Sequence, residues 1–181
     1  MTACWDEFRT LRTVLVILLF PVVLVVDLDG TYLKNDFFAE QFYKKLIENP
    51  FFVAYHLASG GILKVKNVLL DKLDIQYPLS QLINSEVEKF IRTKRKEYDQ
   101  VVIVSATPDF FVKRILADDK NFDAVYGSTS LNLKGEQKLE FIRQTFGEDF
   151  HYIGNSKADI PLLKAAKKGY YVRRNRINEY N

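Results

Sequence analysis

Cysteine is nearly absent, with Cys4 the only one among 181 residues. That excludes an intrachain disulfide and a cysteine zinc site, and it suits a reducing compartment. Histidine is almost as scarce, and His56 and His151 leave little room for an imidazole metal centre. Charge of one sign does not dominate, because 26 Lys and Arg stand against 23 Asp and Glu for a net +3. So mild an excess does not argue for nucleic acid, and the basic stretch Arg92–Lys96 reads as a solvated helix face. Internal repeats and low-complexity tracts are missing as well. The apolar run Val14–Val26 is shorter than the roughly 20 residues a membrane-spanning helix needs, and Pro21 interrupts it. Asp6 and Glu7 spoil a signal-peptide n-region, and no small-residue cleavage site follows. Residues 1–20 therefore read as a leader, either a short element or a segment touching a membrane surface. The expected location is cytoplasmic, with membrane association tied to that leader.

Apolar residues make up 48% of the chain and aromatics 14%, enough to bury a core. The length fits one ordinary domain or a domain carrying an insertion. Its organising stretch is Val22–Thr31, where an apolar, β-branched run ends in Asp27-Leu28-Asp29-Gly30-Thr31. The run reads as a strand buried on both faces, as in a parallel sheet. Its polar end lies where open α/β sheets place ligands. Asp27 and Asp29 alternate with Leu28, so extended backbone puts them on one side. Such a pair can bind a divalent cation, exchange protons or attack as a nucleophile. Taken alone, it can equally be an Asp-Gly turn with solvated carboxylates.

The rest of the chain shifts that balance. Asp36 is a plausible N-cap for a helix to about Glu48, with Phe37, Phe38, Phe42, Leu46 and Ile47 on its apolar face. Asn49-Pro50 ends it. Residues 51–70 read as two helical pieces separated at Ser59-Gly60-Gly61, and Ser85–Tyr98 as a further helix. This is far more than one crossover needs, so residues 36–99 are expected to form a helical cap. Residues 21–35 and 100–176 then form the core. Further strands are expected at 101–105, 124–127, 150–154 and 169–172, with helices from Pro108 to Ala117, Glu136 to Phe146 and Ile160 to Lys168, then a basic tail. Alternating strands and helices imply an α/β fold with a doubly wound parallel sheet of about five strands. Four junctions then bring polar residues to one end of the sheet: Asp27 with Asp29, Ser105, Lys138, and Asn155 with Asp159.

Those four sites, in that order, resemble the motifs of the haloacid-dehalogenase-like (HAD) superfamily, whose members are mostly phosphohydrolases. The likeness runs from Val22 to about Arg174, and the insertion looks like the family's helical C1 cap on a Rossmann-like core. A narrower likeness, carried by Lys134-Gly135-Glu136 and Ala158-Asp159-Ile160-Pro161, is to the HAD domain attached to bacterial UbiA-type prenyltransferases. The resemblance implies a Mg²⁺-dependent phosphatase acting on a small phosphomonoester, with a prenyl-linked or sugar phosphate and a membrane prenyltransferase partner implied by the narrower likeness. Asp27 becomes the nucleophile that forms an aspartyl-phosphate, and Asp29 the proton donor and then base. Ser105, the Ala106 amide and Lys138 hold the phosphoryl group, with Lys134 the alternative to Lys138. Mg²⁺ is expected on Asp27, Asp29 through its backbone carbonyl, Asn155 and Asp159. Asp159 alternatively positions water and Lys138 from behind. Asn155 departs from the family's aspartate and predicts weaker metal binding. The competing expectations are a catalytically weak or silent binding domain, dehalogenation, and phosphoryl transfer between sugars.

Overall fold

The computed structural model describes residues 22–74 and 78–180. The expected leader at 1–20 lies outside the described residues. Strand β1 (Val23–Val26) has no exposed side chain on either face. Leu24 and Val26 enter one hydrophobic cluster, while Val23 and Val25 enter the other. The two-residue period of extended backbone thus splits one apolar run between two cores. The remaining strands are β2 (Gln100–Pro108), β3 (Ala124–Ser128), β4 (Phe150–Gly154), β5 (Lys168–Arg173) and β6 (Arg176–Tyr180). They form one sheet in the order β3-β2-β1-β4-β5-β6. All pairings are parallel except β5 with β6. The chain leaves β1 toward β2 on one side and later returns to β4 on the other. Crevices for ligands open at such a switch point, beyond the carboxyl ends of the strands.

The sheet has six strands where about five were expected. The basic tail is β6, joined to β5 by Arg174-Asn175, both with positive φ (50° and 62°). A two-residue hairpin of this hand matches strand twist, and asparagine tolerates it. The core sheet therefore continues past residue 176. Strand β2 also runs beyond the expected end at Ser105, with a register shift between Val104 and Pro108. The irregularity lies beside the polar residues of that tip, as bulges near sites do.

Helices α1 (Phe37–Glu48) and α2 (Pro50–Asp71) form a hairpin. Asp36 caps α1 by accepting from the Ala39 amide, and Asn49 caps α2 by accepting from Phe52. Gly60 and Gly61 break α2 as anticipated, and Gly61 has φ 66° and ψ −165°. At the base of the hairpin the Arg114 guanidinium donates to the carbonyls of Leu70, Asp71 and Leu73 (2.8, 3.0 and 3.2 Å). It satisfies carbonyls that a helix end leaves open. Short α3 (Leu79–Leu82) leads to α4 (Ser85–Lys94), whose Val87 and Ile91 are buried in the cluster containing Leu24 and Ile103. α4 therefore packs on the sheet, whereas α1 and α2 pack largely on each other. Helices α5 (Asp109–Ile115), α6 (Glu136–Phe146) and α7 (Ile160–Ala165) complete the layers. Among the described residues, no helix is long and apolar enough to cross a membrane.

Candidate active site

Asp27 ends β1, and its amide still donates to Ile153 on β4 (2.9 Å). Gly30 then takes φ 71°, turning the chain back so that Leu33 bonds to Leu28 (2.9 Å). A Cβ at residue 30 would lie 2.1 Å from Asn155 Nδ2, so the turn leaves room for the loop after β4. These constraints aim Asp27 and Asp29 into a cavity of about 320 Å³. Lys66, Ala106, Lys138, Asn155 and Asp159 line the same cavity. The structure thus brings together Asp27, Asp29, Ala106, Lys138, Asn155 and Asp159 around one space, with Ser105 hydrogen-bonded behind Asp29.

The two aspartates occupy different surroundings. Asp27 is buried, with Oδ1 accepting from Lys138 Nζ at 2.6 Å and Oδ2 from Thr31 Oγ1 at 3.2 Å. Burial pushes its carboxyl up to about 6 against the opposing pull of Lys138. Asp29 has no lysine on its carboxylate. Its Oδ2 accepts from Thr107 Oγ1 (2.6 Å) and Ser105 Oγ (3.3 Å), and its Oδ1 is buried with no partner among the described residues. Burial pushes this carboxyl up to about 7, with the Thr107 bond restraining the rise. A group that titrates near neutrality suits proton transfer in both directions.

Lys138 is almost fully buried at the start of α6, following Gly135, whose φ is 59°. Burial opposes its charge, but Asp27 and Asp159 outweigh that and hold it protonated. Lys134 lines the cavity but is exposed, and the Asp27 contact belongs to Lys138. The contacts of Asp159 match the second of its two expected roles, that of a positioning group. Its Oδ2 accepts from the amides of Asn155 and Ser156 and from Ser156 Oγ, and its Oδ1 accepts from the Tyr152 hydroxyl at 2.7 Å. Burial opposes its ionisation, yet Lys138 and these donors keep the carboxylate below its ordinary value. With both oxygens engaged, Asp159 is built to hold the loop and Lys138 from behind. Tyr152 completes the arrangement by accepting from Lys138 (3.3 Å).

Thr107, Tyr152 and Lys66 escaped the sequence reading. Thr107 carried a usable signal, since it shares one side of an extended strand with Ser105. Lys66 carried another, because Ile62, Lys66 and Leu70 stand at four-residue spacing on one helix face. Nothing in the sequence marks the Tyr152 hydroxyl as different from that of another strand tyrosine.

The family model for haloacid dehalogenase-like hydrolases matches residues 24–164. The chain belongs to that family. It is 29% identical over 159 residues to "Uncharacterized protein y4nM" of Sinorhizobium fredii (strain NBRC 101917 / NGR234). That alignment takes in 82% of this chain but spans only 29% of the relative's length. Among solved structures, an apo-form phosphoserine phosphatase superposes with a TM-score of 0.54 at 17% identity, covering 83% of this chain and 86% of that one. A protein of unknown function from Bordetella pertussis Tohama I gives a TM-score of 0.57 at 14% identity, covering 82% and 88%. At such identities these structures speak for the fold. The narrower likeness to the domain attached to prenyltransferases is not borne out by these matches.

Proposed function

We propose that this chain is a Mg²⁺-dependent phosphatase of small phosphomonoesters. The observation that carries the reading is the unequal pair: Asp27 held against a buried lysine, Asp29 near neutrality with a free buried oxygen. In this reading Asp27 attacks phosphorus. The bond to the ester oxygen breaks, and that oxygen leaves with the proton of Asp29. Asp29, now ionised, takes a proton from water. The water oxygen displaces Asp27 from phosphorus, releasing phosphate and restoring both groups. Ser105, the Ala106 amide and Lys138 balance the charge on the phosphoryl oxygens. Asp159 and Tyr152 keep Lys138 in place, and Thr107 tunes Asp29.

The residues fit Mg²⁺ as a set of hard oxygen donors: the Asp27 carboxylate, the Asp29 carbonyl and the Asn155 amide oxygen. Among the described residues, no hydrogen bond engages the Asn155 side chain, which leaves its oxygen available. When bound, the ion supplies charge that lets a carboxylate and a phosphate approach. Asp27 is the only anionic side chain in this set, so affinity is expected to be modest. The likeness to a phosphoserine phosphatase supports phosphoryl chemistry in general and leaves the substrate to the cavity.

The test is hydrolysis of an aryl phosphate with and without Mg²⁺, comparing the native chain with Asp27→Asn. Loss of roughly 10⁴-fold or more in kcat is expected when a nucleophile is removed, and retained turnover overturns the assignment. Asn155 favours a second reading, a binding domain without catalysis. Turnover by the native chain that is lost in Asp27→Asn excludes it.

A further inference from the structure

Among the described residues the site holds two buried lysines, and only one of them meets a carboxylate. Lys138 meets Asp27 at 2.6 Å. Lys66, on α2 beyond the glycine break, is 6% exposed. It donates to two neutral acceptors, the Ala106 carbonyl (2.5 Å) and Asn132 Oδ1 (3.0 Å). Among the described residues, no carboxylate comes within 4.0 Å of its ammonium. A buried cation without an anion is costly to hold, so this one is arranged for something that arrives. An ammonium has three N–H donors, and two are accounted for.

Its position indicates what the third meets. Lys66 lines the same cavity as Asp27 and Asp29, with its Nζ 5.4 Å from the centre of the Phe38 ring. Burial lowers its pKa to about 8, and the carboxylate acting most strongly on it is Asp29. Asp29 is the group that, on the reading above, delivers a proton to the leaving oxygen. Lys66 reaches this cavity from the helical hairpin, beside Phe38, and not from the strand tips that carry Asp27 and Asp29, so it faces the space left to the organic part of a substrate. The transferring phosphoryl group has its own partners in Ser105, the Ala106 amide and Lys138. A cavity of about 320 Å³ is at the small end for ligand sites, so the organic part is short.

We propose that Lys66 is a specificity residue that binds a second acid group, carboxylate or phosphate, on the organic part of a short phosphomonoester. This rests on the phosphatase reading of the site. It makes the helical hairpin a reader of substrate charge, and it places that reader on α2 and not on the sheet.

Three esters with the same two-carbon skeleton test it: ethyl phosphate, phosphoglycolate and 1,2-ethanediol bisphosphate, each assayed with Mg²⁺. The native chain is expected to prefer one or both acid-bearing esters over ethyl phosphate by at least tenfold in kcat/KM, and whichever is favoured names the acid. Lys66→Met is expected to reduce that ratio at least tenfold, mainly through KM, whatever loss all three esters share. Lys66→Arg is expected to restore part of the ratio. If Lys66→Met lowers all three equally, Lys66 only braces the Ala106 loop and the inference is overturned. Turnover of the esters by the native chain without preference also overturns it, while leaving the phosphatase reading intact. No turnover of any ester overturns both.

Discussion

The tips of the sheet and the helical hairpin above them are built to different standards. At the tips, side chains are buried and nearly every polar atom has a partner. Asp159 alone accepts from four donors, and the exceptions among the described residues are one Asp29 oxygen and the Asn155 side chain. The hairpin leaves Tyr43, Ile47, Phe51 and Tyr55 more than half exposed, and two consecutive glycines interrupt its second helix. It meets the core mainly at its base, through Phe37, Leu70 and the Arg114 bonds, and at Lys66. Chemistry requires atoms held to a fraction of an ångström. Admission of a substrate needs a wall that can yield. The contrast implies that changes at the tips act on rate or on global stability, and that changes on the hairpin act locally.

The sharpest probe is Asp29→Asn. Without a proton to deliver, turnover should fall about 10²–10⁴-fold. On the proposed mechanism Asp27 is ionised and Asp29 protonated for the first step. A bound cation holds Asp27 ionised, so kcat/KM should fall toward high pH as Asp29, raised by burial, loses its proton. The same groups weaken the metal-free fold. Both carboxyls titrate higher in the folded chain than in the unfolded one, so the folded state holds more protons between ordinary carboxylate values and about 7. Stability from these groups is therefore greatest at low pH and declines as pH rises through that window. Metal-free Asp29→Asn should be more stable than the native chain at pH 8 by roughly 1–2 kcal/mol, measured by denaturant unfolding. A lower stability there would show that the tips are not strained by their own charges.

Next in size is Ile103→Ala, which opens a cavity in the middle of the sheet and should cost about 2–5 kcal/mol. Gly61→Ala probes the hairpin break instead. Nothing lies within 4 Å of the added Cβ, so the effect is backbone strain at φ +66°. About 1–3 kcal/mol is expected, read as faster hydrogen exchange in α2 with the sheet amides still protected. Global loss of protection would erase the distinction between the two regions. Phe51→Ser, at a side chain 85% exposed, should shift stability by less than about 0.5 kcal/mol.

How much of this was legible beforehand follows the same division. The sheet announced itself because buried parallel strands read as continuous apolar runs, and its polar tips followed at each junction. Spacing favours Lys138 over Lys134 as the lysine beside Asp27, and the contact at 2.6 Å belongs to Lys138, buried at the start of α6. Residues 84–99 were grouped with the cap, but the apolar face of α4 does not declare whether a sheet or another helix will cover it. Strand β6 was hidden by charge, since its short alternation looks like a solvated tail until β5 stands beside it. For Asp159 the sequence leaves a ligand and a positioning role open, because it shows a carboxylate and not the four donors that meet it. For Lys66 the spacing shows a helix face, and only the folded hairpin brings it to Ala106.

Strand β6 also bears on how the molecule survives in a crowded solution. A strand at the rim of a sheet offers open amides and carbonyls to any passing chain. Among the described residues the strand beyond β5 is short and carries Arg176 and Glu179 among exposed positions. Behind it lie Tyr170 and Val172 of β5, both buried. The β5–β6 hairpin thus works as a guard rail in geometry: it covers the rim of an aromatic, β-forming strand with a short one bearing exposed charges.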